Sequence, residues 1–295
     1  MLIFKAPKIE YKGCLHLHTD QSDGLLPPLE AVQAYEAAGY DFIAITDHRR
    51  ITLADGYTGP MLVLPGIEIN QAKEEEEVIH IVAIGTDAAM LRSPDDQAPI
   101  ARRLEHFINH GAACFLAHPH WSLNRVETIK ALRGLHGAEI YNAVSCPPTN
   151  PDRADSTHIL DLLARDGLLL PTIAADDAHY YAGEFADSFI YAQADNLSTD
   201  AILTALKSGR FYASRGPRFH EVSLTEGQVR VSCSPVDHIT FHSNLAWNEG
   251  RAVNGSGITR GSYRLASGER FVRVVLTDSQ GRKAWLNPFP IASLT

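Results

Sequence analysis

Between residue 15 and about residue 193, short apolar runs alternate with segments of helical periodicity. The runs are LHLH (15–18), FIAITDH (42–48), MLVLPGIEI (61–69), VIHIVAIG (78–85), ACFLAHPH (113–120), AEIYNA (138–143), LLLPTIAADDAH (168–179) and SFIYAQ (188–193). Between several of them LEAVQAYEAAGY (after Pro27-Pro28), PIARRLEHFINHG, RVETIKALRGLHG and ADSTHILDLLARDG read as helices. Gly39, Gly111, Gly137 and Gly167 stand at their C-terminal ends, where glycine stops a helix. Near-continuous apolar strands separated by helices predict a parallel sheet, and seven or eight repeats predict a closed or distorted barrel. One more helix, STDAILTALKSG (198–209), leads into FYASRGPRF. Beyond it HEVSLTE, QVRVSCS, HITFHS and RFVRVVLTDSQGRKAWLN alternate apolar and polar residues, which is antiparallel β patterning. The expected fold class is α/β: a barrel over 1–215 and a small antiparallel β-sandwich-like domain over 216–295, with a boundary near Gly216-Pro217. The apolar alternation of RFVRVVL and the aromatic Trp285 predict a packed face on that tail, expected to cover the barrel, with subunit pairing as the alternative.

A length of 295 residues suffices for one barrel-sized domain with an appendage. An apolar share of 45% and a charged share of 21% suit a soluble globular chain. The net charge of −9, with no dense Lys/Arg stripe, argues against an extended nucleic-acid surface. It leaves room for a small anionic substrate in a locally positive pocket. The start, MLIFKAPKIEYKG, has only a three-residue apolar run. No later stretch approaches the roughly 18 apolar residues of a spanning helix, so a cytoplasmic location is expected. Cys14, Cys114, Cys146 and Cys233 are scattered without C-x-x-C spacing, which predicts reduced thiols and neither a disulfide framework nor a cysteine zinc site. KEEEE (73–77) reads as a solvated turn, with a cation-binding acidic patch as the alternative.

Chemistry concentrates where the expected strands finish. In LHLHTDQSDG, His16 and His18 fall on one face of a strand, side by side as metal ligands are. Asp23 follows in S-D-G, then T-D-H (46–48), P-G-I-E (65–68), His80 inside V-I-H-I-V, A-H-P-H (117–120) and A-D-D-A-H (175–179). A lone H-x-H, or any one of these residues alone, is more often structural. Six histidines and three acids recurring at one position on successive strands point instead to a centre at a barrel's C-terminal rim.

The ordered set H-x-H-T-x-x-S-D-G, T-D-H, P-G-x-E, an isolated His, A-H-P and D-A-H resembles the polymerase-and-histidinol-phosphatase (PHP) superfamily of metal-dependent phosphoesterases over residues 10–215. GRFYASRGPRF, followed by a β-rich tail ending in GRKAWLNPF, is similar to the carbaryl-hydrolase-like branch of PHP metallohydrolases. The resemblance implies a distorted (β/α)7 TIM-like barrel and two or three divalent ions, zinc, manganese or iron. It implies a first ion held by His16, His18, Glu68 and Asp177, and Glu68 bridging to a second on His80 and His118. Asp23, His48 and His179 are implied to hold a third. Asp177 is preferred over the adjacent Asp176 because it completes D-x-H on one strand face. Asp47 and His120 are candidate partners for ligand imidazoles, with a buried structural role as the alternative. Arg49, Arg50 and Arg215 are candidate phosphate donors, although surface arginine is the default.

Three carboxylates and six neutral imidazoles carry less charge than two or three divalent ions bring, so the filled pocket would be locally positive and suit a phosphate. No G-x-S-x-G, Walker or dinucleotide motif supplies another chemistry. The expected function is hydrolysis of a small phosphate mono- or diester, of nucleotide or sugar type, by a metal-bound hydroxide held through Glu68 and Asp177 with His16 and His18. One alternative is hydrolysis of a carbamate, amide or carboxylic ester, and another is a non-catalytic, metal-stabilised binding module. The tail histidines, His220, His238 and His242, lack a matching acid cluster, so no ligand is expected from that region.

Overall fold

The computed structural model of the chain describes residues 1–73, 77–87, 90 and 98–291. Strand β1 (Leu2–Lys5) is followed by β2 (Tyr11–Cys14), which pairs in parallel with β3 (Phe42–Ile45), and β3 pairs in parallel with β4 (Leu62–Lys73). Helix α1 (Pro28–Ala37) makes the first crossover and buries Ala31, Val32 and Tyr35. Proline is suited to its first turn because that N–H would have no helical partner. Strand β5 (Glu77–Ile84) then runs antiparallel to β4 and to β6 (Ala113–Leu116). The short link from β4 to β5 cannot hold the dozen or so residues that a parallel crossover needs, so the strict alternation read from the sequence breaks there. Helix α2 (Ile100–Asn109) precedes β6, and β6, β7 (Gly137–Asn142) and β8 (Thr172–Ala175) pair in parallel, with α3 (Val126–Ala131) between the first two and α4 (Thr157–Arg165) between the last two. Past their ends β2 and β8 meet: Leu17 bridges Ala178, His18 N–H donates to Ala178 O at 3.0 Å, and Asp177 N–H donates to His16 O at 3.0 Å.

The sheet continues through β9 (Phe189–Ala192), antiparallel to β2, and β10 (Phe211–Ser214), antiparallel to β9, with α5 (Thr199–Lys207) between them. Strands β11 (Phe219–Thr225), β12 (Gln228–His242), β13 (Ala252–Arg264), β14 (Phe271–Thr277), β15 (Lys283–Trp285) and β16 (Phe289–Pro290) are joined by antiparallel pairings. Strand β10 joins β15, so the whole is a mixed α/β fold built on one large sheet. Strand β1 pairs with β11, so a division at 215/216 separates β1 from its partner.

Packing ties the tail to the rest. Leu17, Val32 and Tyr35 share a buried cluster with Phe219, Ile239 and Val274. Trp285, 1% exposed, stacks on Tyr141 with ring centroids 5.8 Å apart. Burying one such side chain fully stabilises by roughly 1.5–3 kcal/mol.

Several local expectations change. The pair His16 and His18 lies beyond the end of β2 rather than inside a strand. Helix α3 ends well before Gly137, which instead opens β7, and the left-handed turn after the helix falls on Gly134 (φ 87°). Of KEEEE, residues 74–76 lie outside the described residues, and Glu77 is no patch member. It is buried and accepts from Arg125 N–H at 3.0 Å and Thr128 Oγ1 at 3.1 Å, filling the N-terminus of α3. The four cysteines are free thiols. Burial pushes the Cys14 and Cys114 thiols up to about 12, which leaves them unreactive. Among the described residues no helix is long and apolar enough to cross a membrane.

Candidate metal centre

The chain brings all nine sequence-selected residues to one place, eight of them on a strand or just past its end and Asp23 in a turn. Beyond β2, His16 and His18 point to the same side because Leu17 between them is held by Ala178 on one side and by Thr46 N–H, donating to Leu17 O at 3.0 Å, on the other. The turn 19–24 carries Asp23. Asp47 builds that turn, accepting from Thr19 N–H, Thr19 Oγ1 and Ser22 Oγ, each at 2.7 Å. Gly24 closes it, because a Cβ there would run into the His18 carbonyl. His48 follows β3 and bridges Glu68 on β4. His80 on β5 sits opposite Asn70 and so lies diagonally across from Glu68 on the same face. His118 follows β6, and Asp177 and His179 follow β8.

Glu68, 1% exposed, is the hub. Its Oε2 lies 3.3 Å from His16 Nε2, 3.2 Å from His18 Nε2 and 3.1 Å from His48 Nδ1. Its Oε1 lies 2.7 Å from His80 Nδ1 and 3.4 Å from His118 Nε2. Asp177 Oδ1 is 3.1 Å from Nε2 of both His16 and His18, and its Oδ2 is 3.9 Å from His118 Nε2. Toward solvent, Asp23 lies 3.4 Å from His48 Nε2, 3.5 Å from His179 Nε2 and 3.4 Å from His18 Nδ1. Four groups of donor atoms converge closely enough to hold a metal: His18/Asp23/His48/His179, His16/His18/Glu68, His16/His118/Asp177 and His48/Glu68/His80. His118 (φ 29°) and Asp177 (φ 51°) have positive φ, a local strain of order 1–3 kcal/mol of the kind found where a site fixes side-chain direction.

The donor set fits divalent ions. His16 Nδ1 is 2.7 Å from Glu139 Oε1, His118 Nδ1 is 2.8 Å from Ser122 Oγ, and His179 Nδ1 is 2.8 Å from Asp177 O. Anchoring Nδ1–H outward in this way leaves the Nε2 lone pair facing inward. Asp177 Oδ1 and His48 Nδ1 are buried and have no hydrogen-bond partner, as atoms awaiting a cation would be. The electrostatics agree. Burial works against every charge here, yet the imidazoles, His16 foremost, hold Asp177 well below the usual carboxylate range. His80 and His16 do the same for Glu68. Conversely, burial lowers His18 but Asp177 and Glu68 outweigh it and lift it to about 9. A field that keeps a proton on a buried imidazole also attracts metal cations.

The remaining candidates stand elsewhere. Asp176, fully buried, faces away and accepts from Tyr35 Oη and from the N–H groups of Ala186, Asp187 and Ser188, while burial pushes it up to about 7. The Asp47 carboxylate reaches the ligand imidazoles through Ser22, whose Oγ is 3.3 Å from His18 Nδ1, and its carbonyl accepts from Glu68 N–H at 3.2 Å. His120 Nδ1 bonds Asp155 O at 2.9 Å and touches no ligand imidazole through that atom. Arg49 donates to Asn70 Oδ1 at 2.7 Å and Arg50 to Gln21 O at 3.0 Å. Arg215 is clamped on Asp187 by two bonds of 2.7 and 2.9 Å and lies over the Tyr141 ring. Its charge is thereby committed.

A cavity of about 290 Å³ opens over the cluster, walled by Trp121, Val144, Ser145, Thr149, Asn150 and Tyr180. Trp121 Nε1 donates to Asn150 Oδ1 at 2.9 Å, and its ring meets His118 edge-on at 4.9 Å. Glu139 and this wall escaped the sequence reading. The available signal for Glu139 was a lone acid inside the apolar run AEIYNA, since an acid is almost never fully buried without a partner.

No protein-family model and no curated protein matches the chain. Among solved structures it is similar to a two-domain protein from Bacteroides vulgatus ATCC 8482 containing a predicted PHP-like metal-dependent phosphoesterase. That match has 19% identity, covers 96% of this chain and 95% of the other, and has a TM-score of 0.54. The likeness extends over the tail as well as the site-bearing region, and it is one of fold. A provisionally described metal-dependent phosphoesterase from Bifidobacterium adolescentis ATCC 15703 matches at 16% identity over 67% of this chain and 96% of the other, with a TM-score of 0.45. An amidohydrolase from Chromobacterium violaceum, with bound sulfate and no metal, matches at 16% identity over 68% and 96%, with a TM-score of 0.43.

Proposed function

We propose that the chain is a metal-dependent hydrolase of the PHP type that cleaves a small phosphate mono- or diester of nucleotide or sugar type. In this reading residues 1–215 form the distorted barrel, and residues 216–295, the strands from β11 onward, form a β-domain that supports it without supplying a ligand. The observation that carries the proposal is the convergence of six imidazoles and two further carboxylates around Glu68, with Asp177 Oδ1 and His48 Nδ1 left without a hydrogen-bond partner. His16, His18, Glu68 and Asp177 would hold one ion, Glu68, His80 and His118 a second, and Asp23, His48 and His179 a third. Clustered divalent ions of zinc, manganese or iron lower the pKa of water and stabilise charge on attacking and leaving oxygens. The chain's own residues orient and enclose. Glu68 and Asp177 fix the imidazoles by charge, while Trp121, held by Asn150, walls the cavity against bulk water. Of the polar wall residues, Thr149 offers a neutral hydroxyl to the substrate, while Ser145 Oγ donates to Asn142 Oδ1 at 2.7 Å and Asn150 is bonded to Trp121 and to Val144 O.

One observation favours a second reading, hydrolysis of a carbamate, amide or carboxylic ester. Arg49, Arg50 and Arg215 all have other partners, and no lysine or arginine is among the cavity-lining residues described. A phosphate would then have its charge met by the ions alone. The test is a side-by-side assay of the metal-loaded protein on an aryl phosphate and on an aryl ester and carbamate. Faster turnover of the phosphate supports the first reading, and acyl turnover alone replaces it with the second. Inactivity on all three with metal bound leaves a binding module.

A further inference from the structure

Glu139 is fully buried on β7, in a strand whose other side chains are also buried. Its two oxygens take three donors. Oε1 lies 2.7 Å from His16 Nδ1, and Oε2 accepts from His118 N–H at 2.7 Å and from Asn142 Nδ2 at 2.8 Å. Asn142 Nδ2 also donates to Asp177 Oδ2 at 3.0 Å. One carboxylate therefore reaches three candidate ligands by three routes: the ring of His16, the backbone of His118 and, through Asn142, the carboxylate of Asp177. Two of those three carry the positive φ values noted above: the bond at His118 is made to that strained backbone itself, and the one through Asn142 to the carboxylate of Asp177. None of these bonds touches Asp23, His48 or His179.

Building on the metal-centre reading above, we propose that Glu139, assisted by Asn142, is the positioning residue for the buried half of the centre and acts through His16, His118 and Asp177. Its carboxylate can only accept, so His16 must carry its proton on Nδ1, and the Nε2 lone pair points at Glu68 and Asp177. Glu139→Gln keeps the shape and removes that constraint. The carboxamide nitrogen can donate to His16 Nδ1, which moves the imidazole proton to Nε2, where a metal would bind. If the amide instead keeps its oxygen on His16, its nitrogen confronts the His118 N–H, donor against donor.

The test titrates full-length wild type and Glu139→Gln with zinc in chelator-buffered solutions, counts bound metal, and records the visible spectrum of the cobalt-substituted forms. Melting of the metal-free proteins reports folding. The expected result is a 10–100-fold weaker affinity at the tightest positions, with altered cobalt bands, while weaker binding attributable to Asp23, His48 and His179 is unchanged. Asp23→Asn should show the opposite pattern. If Glu139→Gln fails to fold, Asn142→Ser, which releases only one of the three ties, should weaken the same tight positions to a smaller extent. Equal titrations and equal spectra for wild type and variant would overturn the positioning role and leave the metal centre standing. A wild type that takes up no divalent ion would overturn the centre itself, and the role of Glu139 with it.

Discussion

Removing metal should destabilise the protein, and by more at higher pH. The perturbation is exhaustive chelation followed by stepwise return of zinc. Two of the ion positions are lined by largely buried residues: side-chain exposure is 0% for His16 and His18, 1% for Glu68 and 6% for Asp177 at the first, and 11% for His80 and 4% for His118 at the second. Binding that occurs only in the folded state stabilises by about 2.7 kcal/mol per site at a hundredfold excess over Kd, so two such sites give about 5 kcal/mol. At about 2–4 °C per kcal/mol for chains somewhat shorter than this one, melting should rise by roughly 10–20 °C. The pH sign follows from His18. Its folded-state pKa without metal, about 9, lies above the ordinary 6.5, so its proton stabilises the metal-free fold fully below 6.5. That contribution, about 3 kcal/mol, is lost as pH climbs from 6.5 through 9. Metal displaces the same proton, so the gap between loaded and stripped protein should widen from pH 6 to pH 9. Differential scanning fluorimetry with and without zinc, across that range, measures it. A gap that is absent at pH 8, or that narrows as pH rises, would refute the reasoning.

Other outcomes follow from the same contacts. Arg215→Ala removes the two bonds to Asp187 and should lower stability by about 1–3 kcal/mol while leaving kcat on an aryl phosphate within a few-fold. A loss of several hundredfold in kcat would return Arg215 to the substrate. Trp285→Ala deletes a buried indole between tail and β7 and should cost about 3–5 kcal/mol by urea denaturation with metal content per folded molecule unchanged. Loss of a metal equivalent would show that the tail shapes the centre. Glu10 is pushed by burial to about 7, so its ionisation opposes folding as pH rises from 4.5 through 7. Glu10→Gln should accordingly melt higher relative to wild type at pH 8 than at pH 4.5, and an equal offset at both would contradict the shift.

What the sequence made legible was chemistry repeated in register. His16, His18, His48, His118, Asp177 and His179 stand out because they interrupt or end apolar runs, and the fold gathers them because those runs lie side by side in the sheet. Residues whose meaning depends on a distant partner were less legible. Arg215 reads as a free donor until Asp187, 28 positions earlier, folds against it. Glu139 reads as one polar position in a strand until His16, 123 positions away, arrives at its Oε1. The antiparallel β5 was hidden for another reason: VIHIVAIG is apolar in either strand direction, and only the length of the preceding link decides it. Pairing of β1 with the tail likewise depends on a partner more than two hundred residues on, beyond any local pattern.

The most direct test is one paired measurement: bound metal and turnover of an aryl phosphate, determined on the same samples of wild type and of the double variant His16→Ala/His18→Ala. Wild type should bind at least two divalent ions and turn over. The double variant should keep its circular dichroism spectrum, lose at least one ion and lose turnover by a thousandfold or more. A double variant with wild-type metal content and near-normal turnover would contradict the account, because the chemistry would then reside away from Glu68 and the imidazoles around it.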